Sequence, residues 1–160
     1  LLIGGRLRAA YQIPLRTFYL RPYADLDLLR TQMPGFQESG SEGLPLAFRA
    51  SQTTALSLSP MLEFGGERQL DANTRLRPYL AMGLSLRSGF NWAMQAQIQG
   101  AEPGDGHFRL FGNTPAVVGR LEAGLQVFSN DGFDIRLEYG LSAGNGYVAQ
   151  VPSARFTYRF

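Results

Sequence analysis

The sequence has no cysteine, no lysine and a single histidine. Without cysteine the chain can form neither disulfides nor thiolate metal sites, and one histidine does not favour a zinc site. We therefore expect neither a metal nor a cofactor. All 15 basic residues are arginine, and a net charge of +2 is too small to indicate a nucleic-acid partner.

Long apolar runs are also missing, because no stretch reaches the roughly 18 residues that indicate a transmembrane helix. Strands of a membrane barrel alternate apolar and polar residues, so their average hydropathy stays near neutral. The mean hydropathy of −0.13 therefore fits such a barrel as well as a soluble protein. The chain opens at Leu1 in a strand-like pattern without an initiator methionine, so we expect an N-terminal part of the protein to precede it.

The dominant pattern in the sequence is an alternation of period two, which predicts β-strands with two different faces. In residues 18–28 one face is apolar, and it carries Leu20, Pro22, Ala24, Leu26 and Leu28. The opposite face carries Tyr19, Arg21, Tyr23, Asp25 and Asp27. Residues 75–87 repeat the pattern, and both segments open with Leu-Arg-Pro-Tyr, at 20–23 and 76–79.

The alternation continues along the chain and gives seven strands, or eight if residues 44–50 form a separate one. The other five segments are 2–13, 53–65, 117–128, 133–141 and 153–160. Short or moderate turns are expected at 14–17, 66–74 and 129–132, where Ser-Asn-Asp-Gly is a strong hairpin signal. Longer connections are expected at 30–44, 88–116 and 142–152, and 88–116 is long enough to enter a pore or form a flap. Short turns at one end and long loops at the other are typical of outer-membrane barrels.

The polar faces repeatedly combine arginine with an acid, namely Arg21 with Asp25 and Asp27, Arg120 with Glu122, and Arg136 with Glu138. Such pairs line a hydrated lumen in a membrane barrel and form ordinary surface on a soluble sheet, so charge alone leaves both interpretations open. Aromatic residues favour the membrane, because they cluster towards strand ends as interface girdles do. The girdle candidates are Tyr11, Phe18, Tyr19, Phe64, Phe133, Tyr139, Phe156, Tyr158 and Phe160.

The C-terminus resembles the assembly signal of outer-membrane β-barrels, with alternating aromatics at Phe156, Tyr158 and the final residue, Phe160. The whole chain resembles the autotransporter β-barrel domain in the order of its motifs. These are Leu-Arg-Pro-Tyr at 20–23, Gly-Phe-Gln-Glu at 35–38, Leu-Arg-Pro-Tyr at 76–79, Gly-Leu at 124–125, Asp-Gly at 131–132, Leu-Glu-Tyr at 137–139 and Tyr-Arg-Phe at 158–160.

This resemblance implies an all-β, antiparallel up-and-down transmembrane β-barrel in the bacterial outer membrane. Residues 1–160 would supply the C-terminal portion of one translocator domain, about the last seven strands of a twelve-stranded barrel. The barrel would anchor and help to secrete an N-terminal passenger domain, with outer-membrane lipid, the barrel assembly machinery, the passenger and a pore helix as partners. The expected lumen-facing residues are Arg21, Asp25, Asp27, Arg75, Arg77, Arg120, Glu122, Arg136 and Glu138.

Other functions have weaker support in the sequence. No nucleophile motif or phosphate-binding loop occurs, and His107 stands alone in a predicted loop, so we do not expect an enzyme. Ser39 and Ser41, near Glu38 and Glu42, have no candidate base nearby in the sequence. A small eight-stranded outer-membrane barrel with a structural or adhesive role is the alternative, and a soluble β-barrel would require the apolar face to point inward.

Overall fold

The computed structural model describes residues 1–39, 45–88, 91–102, 105–130 and 132–159, without the side chain of Trp92. The described residues form β-strands, turns and loops, and contain no helix. The strands, in chain order, are β1 (Leu2–Ala10), β2 (Ile13–Leu15), β3 (Phe18–Met33), β4 (Phe36–Gln37), β5 (Leu46–Phe48), β6 (Ser51–Gly66), β7 (Arg68–Gln69), β8 (Thr74–Ser88), β9 (Trp92–Ile98), β10 (His107–Gly112), β11 (Val117–Ser129), β12 (Phe133–Gly144) and β13 (Tyr147–Tyr158). In this part of the chain no helix is long and apolar enough to span a membrane.

Seven long strands form the main sheet in the order β1-β3-β6-β8-β11-β12-β13. Each pairs antiparallel with the next long strand along the chain. Strands β2 and β7 add short pairings to β3 and β8. The strands predicted from the alternation and the all-β, antiparallel arrangement implied by the resemblance are therefore confirmed. Strands β1 and β13 stand at the two ends of this order and are not paired with each other in the described structure.

The turns at one end of the sheet agree with the sequence expectations. Gly132 follows β11 with a positive φ of 97°, and its amide donates to the carbonyl of Ser129 at 3.2 Å, which closes the predicted hairpin between β11 and β12. Residue 131, the other half of the Asp-Gly motif, lies outside the described residues.

The expected long connection at 142–152 is wrong, because β12 runs to Gly144 and β13 starts at Tyr147. The two strands are joined by Asn145 and Gly146 alone, and Gly146 has a positive φ of 66°. A two-residue Asn-Gly loop is the favoured connection of a tight β-hairpin, since its twist matches that of the strands. The hairpin also shows that β13 is longer than the segment 153–160 predicted for it.

The two remaining long connections fold against each other into a second, four-stranded sheet with the order β10-β9-β5-β4. Phe36 and Phe48 stack across β4 and β5 with ring centroids 4.5 Å apart. The separate strand considered at 44–50 therefore exists as β5, but it belongs to this second sheet, and the main sheet keeps seven long strands. The described part of 88–116 supplies β9 and β10 to the same sheet, where β9 pairs with β5.

The main sheet has one polar, buried face and one apolar, exposed face. On the buried face, here called the inner face, Asp25 and Ser85 are each 2% exposed and Glu63 is 4% exposed. On the opposite outer face, Leu58 is 43% and Met82 53% exposed. A water-soluble sheet buries its apolar face, so this arrangement is the inverse of a soluble fold and matches a sheet whose outer face meets lipid.

Candidate functional site at the inner face of the sheet

The inner face is concave and encloses a cavity of about 660 Å³ that is lined by side chains from all seven long strands. The curvature is evident from Tyr23 of β3, whose hydroxyl lies 3.4 Å from Oε2 of Glu122 on β11. Strands β6 and β8 lie between these two in the sheet. The sheet therefore curls enough for a side chain to reach across two neighbouring strands.

All nine charged residues selected from the sequence lie on this inner face. Of the ion pairs expected among them, Arg120–Glu122 forms, whereas the others have different partners. Asp25 accepts two bonds from Arg8, at 2.5 and 2.6 Å, and Asp27 is 2.5 Å from Nε of Arg6. The predicted pairing of Arg21 with these two acids is wrong. Arg8 and Arg6 stand directly opposite Asp25 and Asp27 in the strand register, and directly opposite side chains are closer than same-face residues within one strand.

Arg21 pairs instead with Glu63, which the sequence analysis did not select. Glu63 Oε2 lies 2.5 Å from Nη2 of Arg21, and Oε1 accepts from the Tyr19 hydroxyl at 2.7 Å. The register places Glu63 directly opposite Arg21. Glu63 could have been found from the alternation, since it is the acid on the polar face of the predicted strand 53–65.

A row of contacts crosses the cavity from β1 to β11. The Arg8 guanidinium lies 4.6 Å from the ring centroid of Tyr23, whose hydroxyl is near Glu122. Glu122 in turn pairs with Arg120, as expected from the sequence. The row joins strands that are distant in the sheet, and cation–π contacts and charge-assisted bonds are among the stronger polar interactions.

Arg75 and Arg77 lie near the turn that joins β6 to β8 and share one acid. Glu67, in that turn, is 3.0 Å from Arg75 and 2.6 Å from Arg77. The hydrogen bond from Arg77 is the main cause that holds the pKa of Glu67 below its ordinary value of 4.5. The Arg77 guanidinium also covers the ring of Phe128 at 4.7 Å, and Arg77 lines the cavity.

The predicted pairing of Arg136 with Glu138 is also wrong. Glu138 accepts from the Tyr79 hydroxyl at 3.1 Å and from Ser153 Oγ at 3.5 Å. Arg136 lines the cavity, and its directly opposite neighbour on β13 is Arg155. In the described part of the chain no cluster of histidine, aspartate and glutamate could hold a metal ion.

Most of the described girdle candidates lie on the outer face. Phe18 and Phe64 stack there with centroids 5.3 Å apart, close to a turn. Tyr19 does not belong to this group, because it points inward to Glu63 and lines the cavity. Phe156 and Tyr158 project outward at the end of β13 and are 67% and 57% exposed, whereas residue 160 lies outside the described residues.

An antiparallel up-and-down sheet with an apolar outer face and a charged, concave inner face defines an outer-membrane β-domain. A family model described as "Autotransporter beta-domain" matches residues 2–140. The chain therefore belongs to the autotransporter β-domain family. The family is an outer-membrane transport family rather than a family of enzymes, and the chain is accordingly placed in the bacterial outer membrane.

Comparison with solved structures gives the same fold. The chain is similar to the β domain of the Bordetella autotransporter BrkA, with a TM-score of 0.60 and 19% sequence identity over 98% of this chain. The match covers 53% of the BrkA chain, so the present chain spans about half the length of that solved structure. No curated protein sequence matches it.

Proposed function

We propose that residues 1–160 form the C-terminal portion of one translocator domain, which anchors an N-terminal passenger domain in the outer membrane and helps to secrete it. The observation that carries the proposal is the inverted burial of the main sheet, with Asp25 and Glu63 inside and Leu58 and Met82 exposed. Family membership supplies the link from this membrane sheet to secretion. The remaining strands, which we take to complete a twelve-stranded barrel, would come from the sequence before Leu1.

The proposed work of the inner face is mechanical and electrostatic. The nine charged residues named above would keep the lumen hydrated and hold a pore helix that belongs to the preceding segment. Paired charges suit this role, because an ion pair such as Arg8–Asp25 remains compensated when the occupant of the pore changes. No chemical step is needed, in agreement with the transport character of the family.

The proposed role of the C-terminal aromatics is recognition by the barrel assembly machinery. Phe156 and Tyr158 alternate on the outer face of β13, and β13 carries an open edge in the described structure. A strand with a free edge can pair with another sheet, while alternate side chains provide specificity. Phe160 completes the alternation in sequence.

A small eight-stranded barrel is the other candidate function for a chain of this length. It is not favoured, because the matching family is that of autotransporters and the similar solved β domain is about twice as long. The two proposals differ in what precedes Leu1, namely a passenger and further strands in one case and only a leader peptide in the other.

The test is protease treatment of intact cells that produce the full-length parent protein. We expect loss of a large external domain and survival of a membrane-embedded remnant that contains residues 1–160. Lysed cells, in which both sides of the membrane are accessible, serve as the control. An outer-membrane protein from which no external domain is removed would contradict the translocator proposal and support the small barrel.

A further inference from the structure

Arg136 of β12 and Arg155 of β13 are direct cross-strand neighbours on the inner face of the main sheet. Directly opposite side chains have Cβ atoms about 5 Å apart, and like charges at that distance repel. Arg136 is half-buried in the cavity wall and Arg155 is exposed. Each of the other inner-face arginines discussed above stands next to a carboxylate, so this pair of like charges is unusual within the sheet.

The acids nearest to the pair along β12 already have other partners. Asp134 accepts from Nε2 of Gln126 at 2.9 Å, and Glu138 accepts from Tyr79 and Ser153. Among the described residues neither Arg136 nor Arg155 takes part in an ion pair. The two guanidinium groups therefore present about two positive charges and several unused N–H donors to the same place in the lumen.

We propose that Arg136 and Arg155 together bind a carboxylate from the segment of the parent protein that precedes Leu1. The carboxylate would belong to an inward-facing Asp or Glu on the strand that pairs with the open edge of β13. The proposal rests on the function proposed above, since only a barrel that closes with preceding strands brings such a strand to β13.

Two observations favour this occupant over a free anion. β13 pairs with β12 along one edge and with nothing along the other in the described structure, and lipid does not tolerate an open edge. The similar solved β domain is about twice as long as this chain, which leaves enough sequence for the closing strands. A residue opposite Arg155 on the new neighbour would lie as close to it as Arg136 does, and an acid there offsets the repulsion.

The experiment uses the full-length parent protein and compares the double variant Arg136→Glu, Arg155→Glu with Arg109→Glu. The double variant keeps a pair of like charges between β12 and β13 and reverses only their attraction for the proposed carboxylate. Arg109 is an exposed arginine on β10 of the second sheet and serves as the matched charge-reversal control. The readout is the fraction of compact barrel in unheated detergent gels. We expect the double variant to lower the ratio of compact to unfolded barrel roughly fivefold, the effect of losing about 1 kcal/mol, and Arg109→Glu to leave this ratio unchanged.

The partner is then identified by reversing the inward-facing acids of the closing strand to Arg, one at a time, in the background of the double variant. One reversal should restore the compact fraction. If the double variant does not fold at all, Arg155→Cys with Cys at each of those acids gives a second readout, because residues 1–160 contain no native cysteine. One pair should then form a disulfide.

Three results would overturn the inference: normal assembly of the double variant, a closing strand without an inward-facing acid, or failure of every reversal and every cysteine pair. These results are separable from a failure of the proposed function. The wild-type parent decides that function through its external domain, whereas only the variants decide the role of Arg136 and Arg155.

Discussion

The phenol ring of Tyr79 lies against the backbone of Gly124, so closely that a Cβ atom at Gly124 would be 2.1 Å from the ring. The two residues are directly paired between β8 and β11, and the Tyr79 hydroxyl reaches Glu138 on β12. Tyr19 and Gly65 repeat the arrangement between β3 and β6, with 2.4 Å to the ring and a hydroxyl bond to Glu63. In both places glycine provides the space that lets a tyrosine hold an acid on the inner face.

Replacement of Gly124 by Ala should therefore destabilise the barrel. The new methyl group forces Tyr79 to move and to weaken its bond to Glu138, at a cost of about 1–3 kcal/mol. The measurement is urea unfolding of the full-length protein in lipid vesicles. Gly5→Ala is the matched control, because a Cβ at Gly5 meets nothing within 4 Å. Equal stability of the two variants would show that the contact has no energetic importance.

Glu63→Gln should lower stability through the loss of one charge at a buried position. Glu63 is 4% exposed and holds both Arg21 and Tyr19, and a buried hydrogen bond to a charged group contributes about 1.5–3 kcal/mol. Glu67→Gln is the comparison, because its ion pairs are more exposed and should contribute at most about 1 kcal/mol. The urea concentration at the unfolding midpoint, measured at neutral pH, should be lower for Glu63→Gln than for the wild type and for Glu67→Gln.

Stability should also fall in acid through the turn between β6 and β8. The hydrogen bond from Arg77 lowers the pKa of Glu67 below 4.5, and a backbone hydrogen bond from Asn73 lowers the pKa of Asp71 below 3.8. Lowered folded-state pKa values stabilise the fold above the unfolded-state values, and this contribution is lost as the pH falls through the folded-state values. The loss should therefore begin near pH 4.5.

The measurement for this turn is the pH dependence of the unfolding free energy between pH 6 and pH 3. The double variant Glu67→Gln, Asp71→Asn should show a shallower decline than the wild type, because neither substituted side chain titrates. An identical decline in both proteins would assign the acid sensitivity to other carboxylates.

The faces of the strands could be predicted from the sequence, whereas the contacts between side chains could not. Period-two alternation places Arg21, Asp25 and Asp27 on one face whatever the register. The choice of partner depends on which residues stand opposite across the ladder, and that register puts Arg8 opposite Asp25 and Glu63 opposite Arg21. A single sequence without the pairing of its strands does not contain this information. Of the predicted same-strand pairings, Arg120 with Glu122 is therefore right, and those of Arg21 and Arg136 are wrong.

The missed hairpin between β12 and β13 has a different origin, since its signal was present in the sequence. Asn145-Gly146 is a strong two-residue turn motif, but the flanking segment 142–152 contains several small or polar residues and a proline, which obscured the apolar alternation. The structure shows why such residues fit a strand here. Gly140 and Ser142 line the concave inner face, where small side chains leave room inside the curl.

Gly146→Val should consequently weaken this hairpin and with it the last strand of the barrel. Gly146 has a φ of 66°, and the left-handed region costs a residue with a Cβ about 1–2 kcal/mol, with β-branched residues worst. Because a Cβ at Gly146 meets nothing within 4 Å, any loss is due to backbone strain rather than to a clash. Gly146→Asn is the discriminating control, since asparagine adopts this conformation readily. If backbone strain is the cause, the free energy of unfolding in urea should stay near the wild-type value for Gly146→Asn and fall for Gly146→Val. Equal losses in the two variants would instead point to a contact of the turn with the rest of the parent protein.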